Sequence, residues 1–136
     1  MFHIIYMSSA VVPFSPAELQ ALLETSRRNN TTLGVTGLLL YKDGNFLQVI
    51  EGEQAVVDEL YSKISRDRRH RGCVPLFKES ISQREFANWS MAFRDLDSSP
   101  EQFPDGFNEL LNTNWSQMDL SSYSSKVRAF MKMFAN

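Results

Sequence analysis

A single amide lies among apolar side chains in the stretch GVTGLLLYKDGNFLQVIEGE, which spans positions 34–53. Side chains alternate between the two faces of a β-strand, so Gln48 shares its face with Phe46 and Ile50. An amide buried there without partners costs about 1–3 kcal/mol. A core glutamine is often satisfied by the backbone, but its donor and acceptor can also connect two polar partners. Gln48 is therefore the first candidate for a functional residue.

Polar residues also continue the buried face of the first predicted helix. The leucines at positions 19, 22 and 23 follow the spacing of an amphipathic helix, and the same face continues as Ser26, Asn29 and Asn30. An asparagine near a helix end often serves only as a cap. Three polar side chains on one buried stripe instead favour contact with a polar guest.

Capping residues mark the first elements that would position these side chains. Residues 2–8 are typical of a strand with two largely apolar faces. Ser15, Pro16 and Glu18 then predict a helix start, because they supply an N-cap, a proline in the first turn and a capping box. This helix would carry the polar stripe of Ser26, Asn29 and Asn30, and the strand would precede it in the chain.

A hairpin and a second helix follow. Residues 35–41 and 46–50 are apolar runs separated by Lys42-Asp43-Gly44, whose Asp-Gly pair supplies the positive φ of a tight turn. Residues 54–67 carry a second apolar stripe, and we expect Gly72 to end that helix. The remaining predicted elements are two strands and two weaker tail helices, over residues 74–81, 86–93, 107–111 and 123–134.

The order β-α-β-β-α-β-β predicts an α+β fold of the ferredoxin-like type, with a helical C-terminal cap. Right-handed crossovers place both helices on one face of the sheet and make the first and third strands neighbours. Tyr6 then lies beside Gln48 and faces the groove between the helices, where Leu22 lies opposite Ile64. Aliphatic walls with a phenol and amides at the edges predict a slot for a flat heteroaromatic ring.

Composition and charge narrow the possible classes. The chain has 136 residues, 43% of them hydrophobic and 22% charged, which suits one compact unit: a domain over 1–95 with a helical extension over 96–136. A net charge of −2 argues against general binding of nucleic acid or an acidic membrane. We find no signal peptide and no run of transmembrane length, and a lone cysteine, Cys73, favours a cytoplasmic location. The two histidines, His3 and His70, give no metal-site spacing.

The basic residues at positions 66–71 follow the second predicted helix directly. Cations at a helix C-terminus are favoured by the helix dipole, so a solvated basic end is the ordinary interpretation. A phosphate or another anionic ligand tail held nearby is the functional one. Both stay open on the residues alone.

Six short motifs, IIYMS, SRRNN, GVTGLLLY, GNFLQVIEGE, DRRH and NWSM, occur in this order over residues 1–93. Together they resemble the BLUF domains, the blue-light sensors using flavin. The resemblance implies a photosensor rather than an enzyme, with a non-covalent flavin: FAD in the first place, otherwise FMN or riboflavin. Residues 96–136 resemble only the variable C-terminal cap of short members that have no effector.

The resemblance also implies a role for each site residue. Tyr6 would donate an electron and a proton to the excited flavin, and Gln48 would link that phenol to the ring. Asn30 would bond the pyrimidine edge of the ring. Trp89 and Met91 would be the fifth-strand pair beside Gln48. The other cofactor-binding positions are Leu22, Ser26, Asn29, Phe46, Ile64, Asp67, Arg69 and His70.

Three alternatives stay open on the residues alone. A small ferredoxin-like hydrolase would need a nucleophile or base with an anion cradle, and no glycine-rich phosphate loop or paired catalytic histidine is present. An RNA-binding module would need exposed aromatic residues surrounded by basic side chains, and the net charge of −2 disfavours such a surface. The third alternative is a sensor domain cut from a longer light-regulated enzyme.

The tail offers a route for output. One stripe of its last predicted helix is apolar and contains Tyr123, Val127, Phe130, Met131 and Phe134. Such a stripe can cap the open face of the sheet, and it can also bind a downstream protein or a second copy of the chain. We expect the signal to leave through this segment and the protein to form a homo-oligomer.

Overall fold

The chain folds into a five-stranded sheet with helices on both faces, in a computed structural model that describes residues 1–87, 90–95 and 124–135. The elements in those residues are β1 (Phe2–Ala10), α1 (Pro16–Leu33), β2 (Thr36–Lys42), β3 (Asn45–Gly52), α2 (Gln54–Ser65), β4 (His70–Ser80), β5 (Ala92–Asp95) and α3 (Ser125–Ala135). The strand order is β4-β1-β3-β2-β5. Neighbouring strands are antiparallel except β2 and β5, which are parallel. The predicted ferredoxin-like α+β fold is confirmed.

The start of α1 follows the predicted capping box. The Glu18 backbone N–H donates to the Ser15 hydroxyl at 3.2 Å, and the Ser15 N–H donates to the Glu18 carboxylate at 3.1 Å. Pro16 occupies the first turn, where its missing N–H leaves no intrahelical bond unmade. The helix ends at Gly34, whose φ of 70° favours glycine. These caps fix where the polar end of α1 meets the sheet.

The hairpin brings Gln48 to the centre of the sheet. Asp43 and Gly44 take positive φ angles of 52° and 77° in the turn between β2 and β3. The pairing that results places Gln48 between Tyr6 of β1 and Leu39 of β2. The predicted hairpin and the predicted neighbourhood of Tyr6 and Gln48 are therefore confirmed.

The end of α2 differs from the prediction. The helix ends at Ser65 with Arg66 as its C-cap, and the Asp67 carboxylate accepts the backbone N–H of Arg69 at 2.9 Å. This aspartate turn redirects the chain before Gly72 is reached. Gly72 instead lies inside β4, at a φ of 64°, where the register of β4 against β1 shifts. The prediction that Gly72 ends the helix is wrong because Asp67 stops the helix earlier.

The fifth strand is also shorter than predicted. It begins at Ala92, not at residue 86. Phe86 is buried, but its N–H donates to the side chain of Glu51 at 2.7 Å and so is not available for a strand ladder. Met91 immediately precedes β5. Trp89, which was predicted to lie on this strand beside Gln48, is outside the described residues, and so is the predicted helix over 107–111.

The sheet separates two cores. Residues of α1 and α2 pack on one face, together with Tyr6 and Ile50. On the other face α3 buries Val127, Met131 and Phe134, with Phe130 partly covered. This is the capping arrangement expected for the tail stripe, although its first member, Tyr123, falls outside the described residues. None of the described helices combines the length and apolar character needed to cross a membrane.

Candidate functional site

A cavity opens between α1, α2 and the sheet. It encloses about 180 Å³, against the ~10–15 Å³ that one buried water needs on the same measure. Every residue predicted to bind the cofactor lines it, and so does Tyr6. The predicted binding residues found there are Leu22, Ser26, Asn29, Asn30, Phe46, Gln48, Ile64, Asp67, Arg69 and His70. The structure thus brings together side chains from α1, β3, α2 and the turn that follows it.

Tyr6 and Gln48 form the floor of this cavity. Their side chains are 1% and 9% exposed, and the two residues are direct cross-strand partners. Within the described residues, the Tyr6 hydroxyl has no hydrogen-bond partner, and the only one of Gln48 is the Met91 sulfur, 3.7 Å from its amide nitrogen. A thioether is a weak acceptor. Two buried polar groups therefore keep hydrogen-bonding capacity that the protein hardly uses.

Burial makes the Tyr6 hydroxyl a weaker acid, as the direction of its pKa shift shows. It raises the pKa of the Tyr6 hydroxyl well above its usual value, and nearby Cys73 and Tyr61 add to the rise. The ring of Tyr61 packs edge-on against Tyr6, with the centroids 5.1 Å apart. Tyr6 therefore remains a neutral phenol that can donate a hydrogen bond.

The polar end of α1 holds the segment that carries Met91. Asn30, which is 3% exposed, donates from its amide nitrogen to the Ser90 carbonyl at 2.8 Å. The Arg27 guanidinium donates to the Met91 carbonyl at 2.9 Å. These two bonds position the Met91 side chain against Gln48. Asn30 also lines the cavity, and no described residue donates to its amide oxygen.

The outer rim is a hydrogen-bonded group of Asp67, Arg69 and His70. The Arg69 guanidinium donates hydrogen bonds of 3.1 and 2.6 Å to the Asp67 carboxylate. These bonds lower the pKa of Asp67 to about 2. Nε2 of His70 lies 2.6 Å from the Ile64 carbonyl, which can only accept, so this nitrogen carries a proton. In the neutral ring Nδ1 then accepts from the Ser8 hydroxyl at 2.9 Å. The imidazole is thereby held in one orientation.

The sequence analysis missed several residues of the cavity. These are Ser8, Phe14, Thr25, Leu39 and Leu60. Ser8 could have been found from the period of two along β1, because it lies on the face of Tyr6. Phe14 could not, since its place depends on a loop: its N–H donates to the Tyr41 hydroxyl at 2.9 Å.

Glu51, which the sequence analysis also missed, lies on the opposite face of β3 from Gln48. It is fully buried, and its carboxyl oxygens accept from the Thr36 hydroxyl and from the backbone N–H groups of Glu85 and Phe86, at 2.7–2.9 Å. The Glu85 carboxylate in turn accepts the N–H of Ser124, just before α3. Hydrogen bonds therefore connect the hairpin, through Glu51 and Glu85, to the residue that precedes α3.

The cavity fits a flat ring with polar edges, such as the flavin ring. Leu22, Leu60 and Ile64 supply aliphatic walls. The Tyr6 hydroxyl, the Gln48 amide and the Asn30 carbonyl oxygen supply the hydrogen-bonding edge. Among the described residues, no group of histidine, cysteine and carboxylate side chains could hold a metal ion.

Comparison with known proteins points to one family. Residues 1–92 match the family model described as sensors of blue-light using FAD. The chain is 38% identical over 87 residues to photoactivated adenylate cyclase subunit beta of Euglena longa, covering 63% of this chain and 10% of that protein. It resembles the dark-state structure of the BLUF protein BlrB at 34% identity and a TM-score of 0.67, covering 71% and 73% of the two chains. The ground state of BlsA matches at 27% identity and a TM-score of 0.69, covering 98% and 87%.

The extent of these matches differs between relatives. The chain spans about a tenth of the length of the curated relatives that it matches. The structural match to BlsA, in contrast, extends over most of both chains.

Proposed function

The chain belongs to the BLUF family, the sensors of blue-light using FAD, and on that premise we propose that Tyr6 and Gln48 form its light-driven hydrogen-bond relay. Membership makes residues 1–92 a flavin-binding blue-light photoreceptor domain, not a catalytic one. The predicted photosensor is thus confirmed ahead of the hydrolase and RNA-binding alternatives. The roles of individual residues are part of the proposal.

The observation that carries this proposal is the unused hydrogen-bonding capacity of the cavity floor. Gln48 lies beside Tyr6, and among the described residues its side chain has a single hydrogen bond, to the Met91 sulfur at 3.7 Å. An amide placed between a phenol and a ring edge can adopt two hydrogen-bond patterns of similar energy. Breaking a weak contact to sulfur costs little, so Gln48 can move from one pattern to the other.

The bound flavin supplies the absorption of blue light and an excited state that accepts an electron. Tyr6 holds the proton of the relay on its hydroxyl oxygen, and its burial keeps that proton in place before illumination. Gln48 connects this hydroxyl to the ring edge. Asn30 would bind the pyrimidine edge, while Leu22 and Ile64 would pack on the ring and exclude water.

We further propose that the signal leaves Gln48 through Met91. The Met91 sulfur contacts Gln48, and the residue leads directly into β5. Arg27 and Asn30 hold the carbonyls of residues 91 and 90, so a change at the cavity also reaches α1. BLUF domains pass signals to effector domains or partners, and here the C-terminal segment over 96–136 would carry the signal. Its target would be a downstream protein or a second copy of the chain.

A second arrangement is favoured by the lengths of the relatives. The photoactivated cyclase subunits devote about a tenth of their length to the region matched here. The same sensor would then control a catalytic domain on the same polypeptide. In either arrangement we propose a cytoplasmic location, supported by the single cysteine, Cys73.

Reconstitution tests the proposal. The purified protein is mixed with FAD, FMN or riboflavin, and its absorption spectrum is recorded in darkness and under blue light. We expect one flavin per chain and a reversible red shift that decays in the dark. A protein that takes up none of the three flavins, or binds one without a light-induced shift, would contradict the proposal.

A further inference from the structure

We infer that a pH-sensitive latch of His3, Glu79 and Lys126 holds α3 on the sheet, and that protonation of His3 loosens it. The inference goes beyond the proposed function, because it concerns the attachment of α3 and needs neither flavin nor light. The latch lies on the face of the sheet opposite the cavity, where α3 packs.

His3 is the central member of a polar row that crosses three strands. Its cross-strand partners are Glu79 on β4 and Glu51 on β3. Side chains of cross-strand partners share a face of the sheet, and His3 shares its face with Ile5, which packs in the core under α3. A histidine that is only 2% exposed therefore lies between two carboxyl groups on the face that α3 covers.

One carboxylate oxygen connects this row to α3. Oε1 of Glu79 lies 3.0 Å from Nε2 of His3 and accepts from the Lys126 ammonium at 2.7 Å. The same ammonium donates to Oε2 of Glu79 at 2.8 Å and lies 3.9 Å from the centroid of the Phe77 ring. Hydrogen bonds from Lys126 and from His3 hold the pKa of Glu79 below its usual value, so Glu79 remains an anion near neutral pH. Lys126 thus ties α3 to the sheet by charge.

A second proton on His3 does not suit this arrangement. The Glu79 carboxylate can only accept, so Nε2 of His3 carries the proton of the neutral ring. Nδ1 is buried, and no described residue forms a hydrogen bond with it. Protonation of Nδ1 therefore buries an N–H group that has no acceptor. It also places a second cation on the oxygen that binds Lys126, and the two positive charges repel each other.

Both costs disappear when α3 leaves the sheet. Nδ1 of His3 can then donate to water, and Lys126 no longer faces the imidazolium. The protonated ring and the docked helix therefore oppose each other, and by linkage a fall in pH favours release of α3. Glu79 and Glu51 attract the imidazolium in both states, so they do not reverse this sign.

Histidine is the residue type in this cluster that ordinarily changes charge near neutral pH. The other charged groups come from each described element packed around His3 on this face: Glu79 of β4, Glu51 of β3, Lys126 of α3, and Arg84 and Glu85 of the segment after β4. Arg84 donates to the Glu51 carbonyl at 3.2 Å, and the backbone N–H of Glu85 donates to the Glu51 carboxylate at 2.9 Å. His3 is therefore the group whose charge would report pH to α3.

Release of α3 uncovers an apolar surface on the helix and another on the sheet. The helix buries Val127, Met131 and Phe134 in a core that also contains Leu38 and Leu47. Acid would thus expose the tail stripe that is expected to bind a partner. The pH would then set how readily that stripe is available, in darkness as well as in light.

Hydrogen exchange of the full chain in the dark, at pH 5.5 and pH 8, tests this inference. Protection factors, the intrinsic exchange rate at each pH divided by the observed rate, are measured for residues 125–135. We expect wild-type protection to be about tenfold lower at pH 5.5, the size of one repulsive charge contact near a surface. His3→Gln keeps an amide donor for Glu79 but cannot gain a charge, so its protection should be equal at the two pH values. His70→Gln is the matched control, because it removes the other of the two histidines, on the cavity side, and it should keep the tenfold change.

Lys126→Gln supplies an independent variant at a side chain that is 34% exposed. It remains informative even if the buried substitution His3→Gln does not fold. Its protection at pH 8 should be lower than that of wild type, because the ion pair with Glu79 is lost. Its change between pH 8 and pH 5.5 should be smaller than in wild type, because the repulsion between two cations is absent.

Three results would overturn the inference. One is wild-type protection over residues 125–135 that is equal at the two pH values or higher at pH 5.5. Another is the full wild-type change in His3→Gln or in Lys126→Gln. The third is an equal loss of protection in α1 at pH 5.5, which would show general unfolding and not release of α3.

Discussion

Gln48 and Glu51 are both buried on β3, but they face opposite sides of the sheet. The oxygens of Glu51 accept three hydrogen bonds of 2.7–2.9 Å from the protein. Within the part of the chain that the structure describes, the Gln48 side chain has one hydrogen bond, to a sulfur atom 3.7 Å away. Among the described residues, one strand thus carries a polar group with three strong hydrogen bonds and another with one weak hydrogen bond.

This difference separates a structural polar group from a functional one. A buried group with all its partners holds its surroundings in a single arrangement, as Glu51 holds the chain at Glu85 and Phe86. A buried group with spare capacity gains its partners from a ligand and can exchange them. Burial alone would have ranked Glu51 above Gln48 as a candidate site residue, and the hydrogen-bond partners reverse that order.

Removing the relay groups on the cavity side should have the largest effect. Gln48→Leu and Tyr6→Phe should both retain flavin, because the aliphatic walls and Asn30 remain. Both should abolish the normal light-induced red shift, since each deletes one hydrogen-bonding member of the relay. Absorption spectra in darkness and blue light measure the effect. Gln54→Leu, at the exposed start of α2, is the control and should behave as wild type. A full wild-type shift in either relay variant would rule out the assigned relay.

Asn30→Ala should act on binding instead of the photocycle. It removes the proposed contact with the flavin ring and leaves the Ser90 carbonyl without its donor. We expect flavin affinity to fall by about 1–3 kcal/mol, or roughly 5- to 150-fold. A titration of the flavin-free protein measures it, with Asn29→Ala as the comparison at an exposed rim position. Unchanged affinity in Asn30→Ala would refute its role.

Met91→Ala should separate sensing from output. The variant loses the sulfur contact to Gln48, yet it keeps both relay residues, so the red shift should persist. Hydrogen exchange in residues 96–136, or the oligomeric state, should change with light in the wild type and no longer do so in the variant. Identical exchange and assembly in darkness and light for the wild type would end the idea. A light response equal to wild type in the variant would remove Met91 from the route.

The smallest effect concerns the rim. Arg69 lowers the pKa of Asp67 from 3.8 to about 2, so the pair contributes stability above pH 4 that is lost as the pH falls towards 2. Because both side chains are partly exposed, the contribution should be under about 1 kcal/mol. The free energies of unfolding of wild type and Asp67→Asn should therefore differ slightly at pH 5 and converge near pH 2. A difference that grows as the pH falls would contradict the assigned direction.

The sequence predicted the parts of the fold that local chemistry decides. The capping box at Ser15 and the Asp-Gly turn at residue 43 can each be recognised from a few consecutive residues, and both elements lie where expected. The pairing of Tyr6 with Gln48 followed from the strand order alone. Gln48, Tyr6 and the polar stripe of α1 followed from the residue pattern, whereas the binding positions Phe46, Asp67, Arg69 and His70 followed from the resemblance to a known family.

What the sequence did not predict depends on contacts between distant segments. Nothing near Gly72 shows that Asp67 will turn the chain first, or that Gly72 will fit into a bulge of β4. The buried Glu51 is bonded to residues 34 and 35 positions further along the chain. The period of two along β3 places Glu51 on the same buried face as Leu47 and Val49. It does not show which groups donate hydrogen bonds to the Glu51 carboxylate.

The most direct measurement compares Gln48→Leu with Glu51→Leu in protein prepared without flavin. Chemical unfolding gives the free energy of unfolding of each variant and of the wild type. We predict that Gln48→Leu leaves it unchanged or raises it, since a poorly satisfied amide is replaced by an apolar group. Glu51→Leu should lower it by about 2–5 kcal/mol, because two backbone N–H groups and a hydroxyl lose their acceptor. Equal losses in the two variants would contradict the distinction between a polar group satisfied by the protein and one left for the flavin.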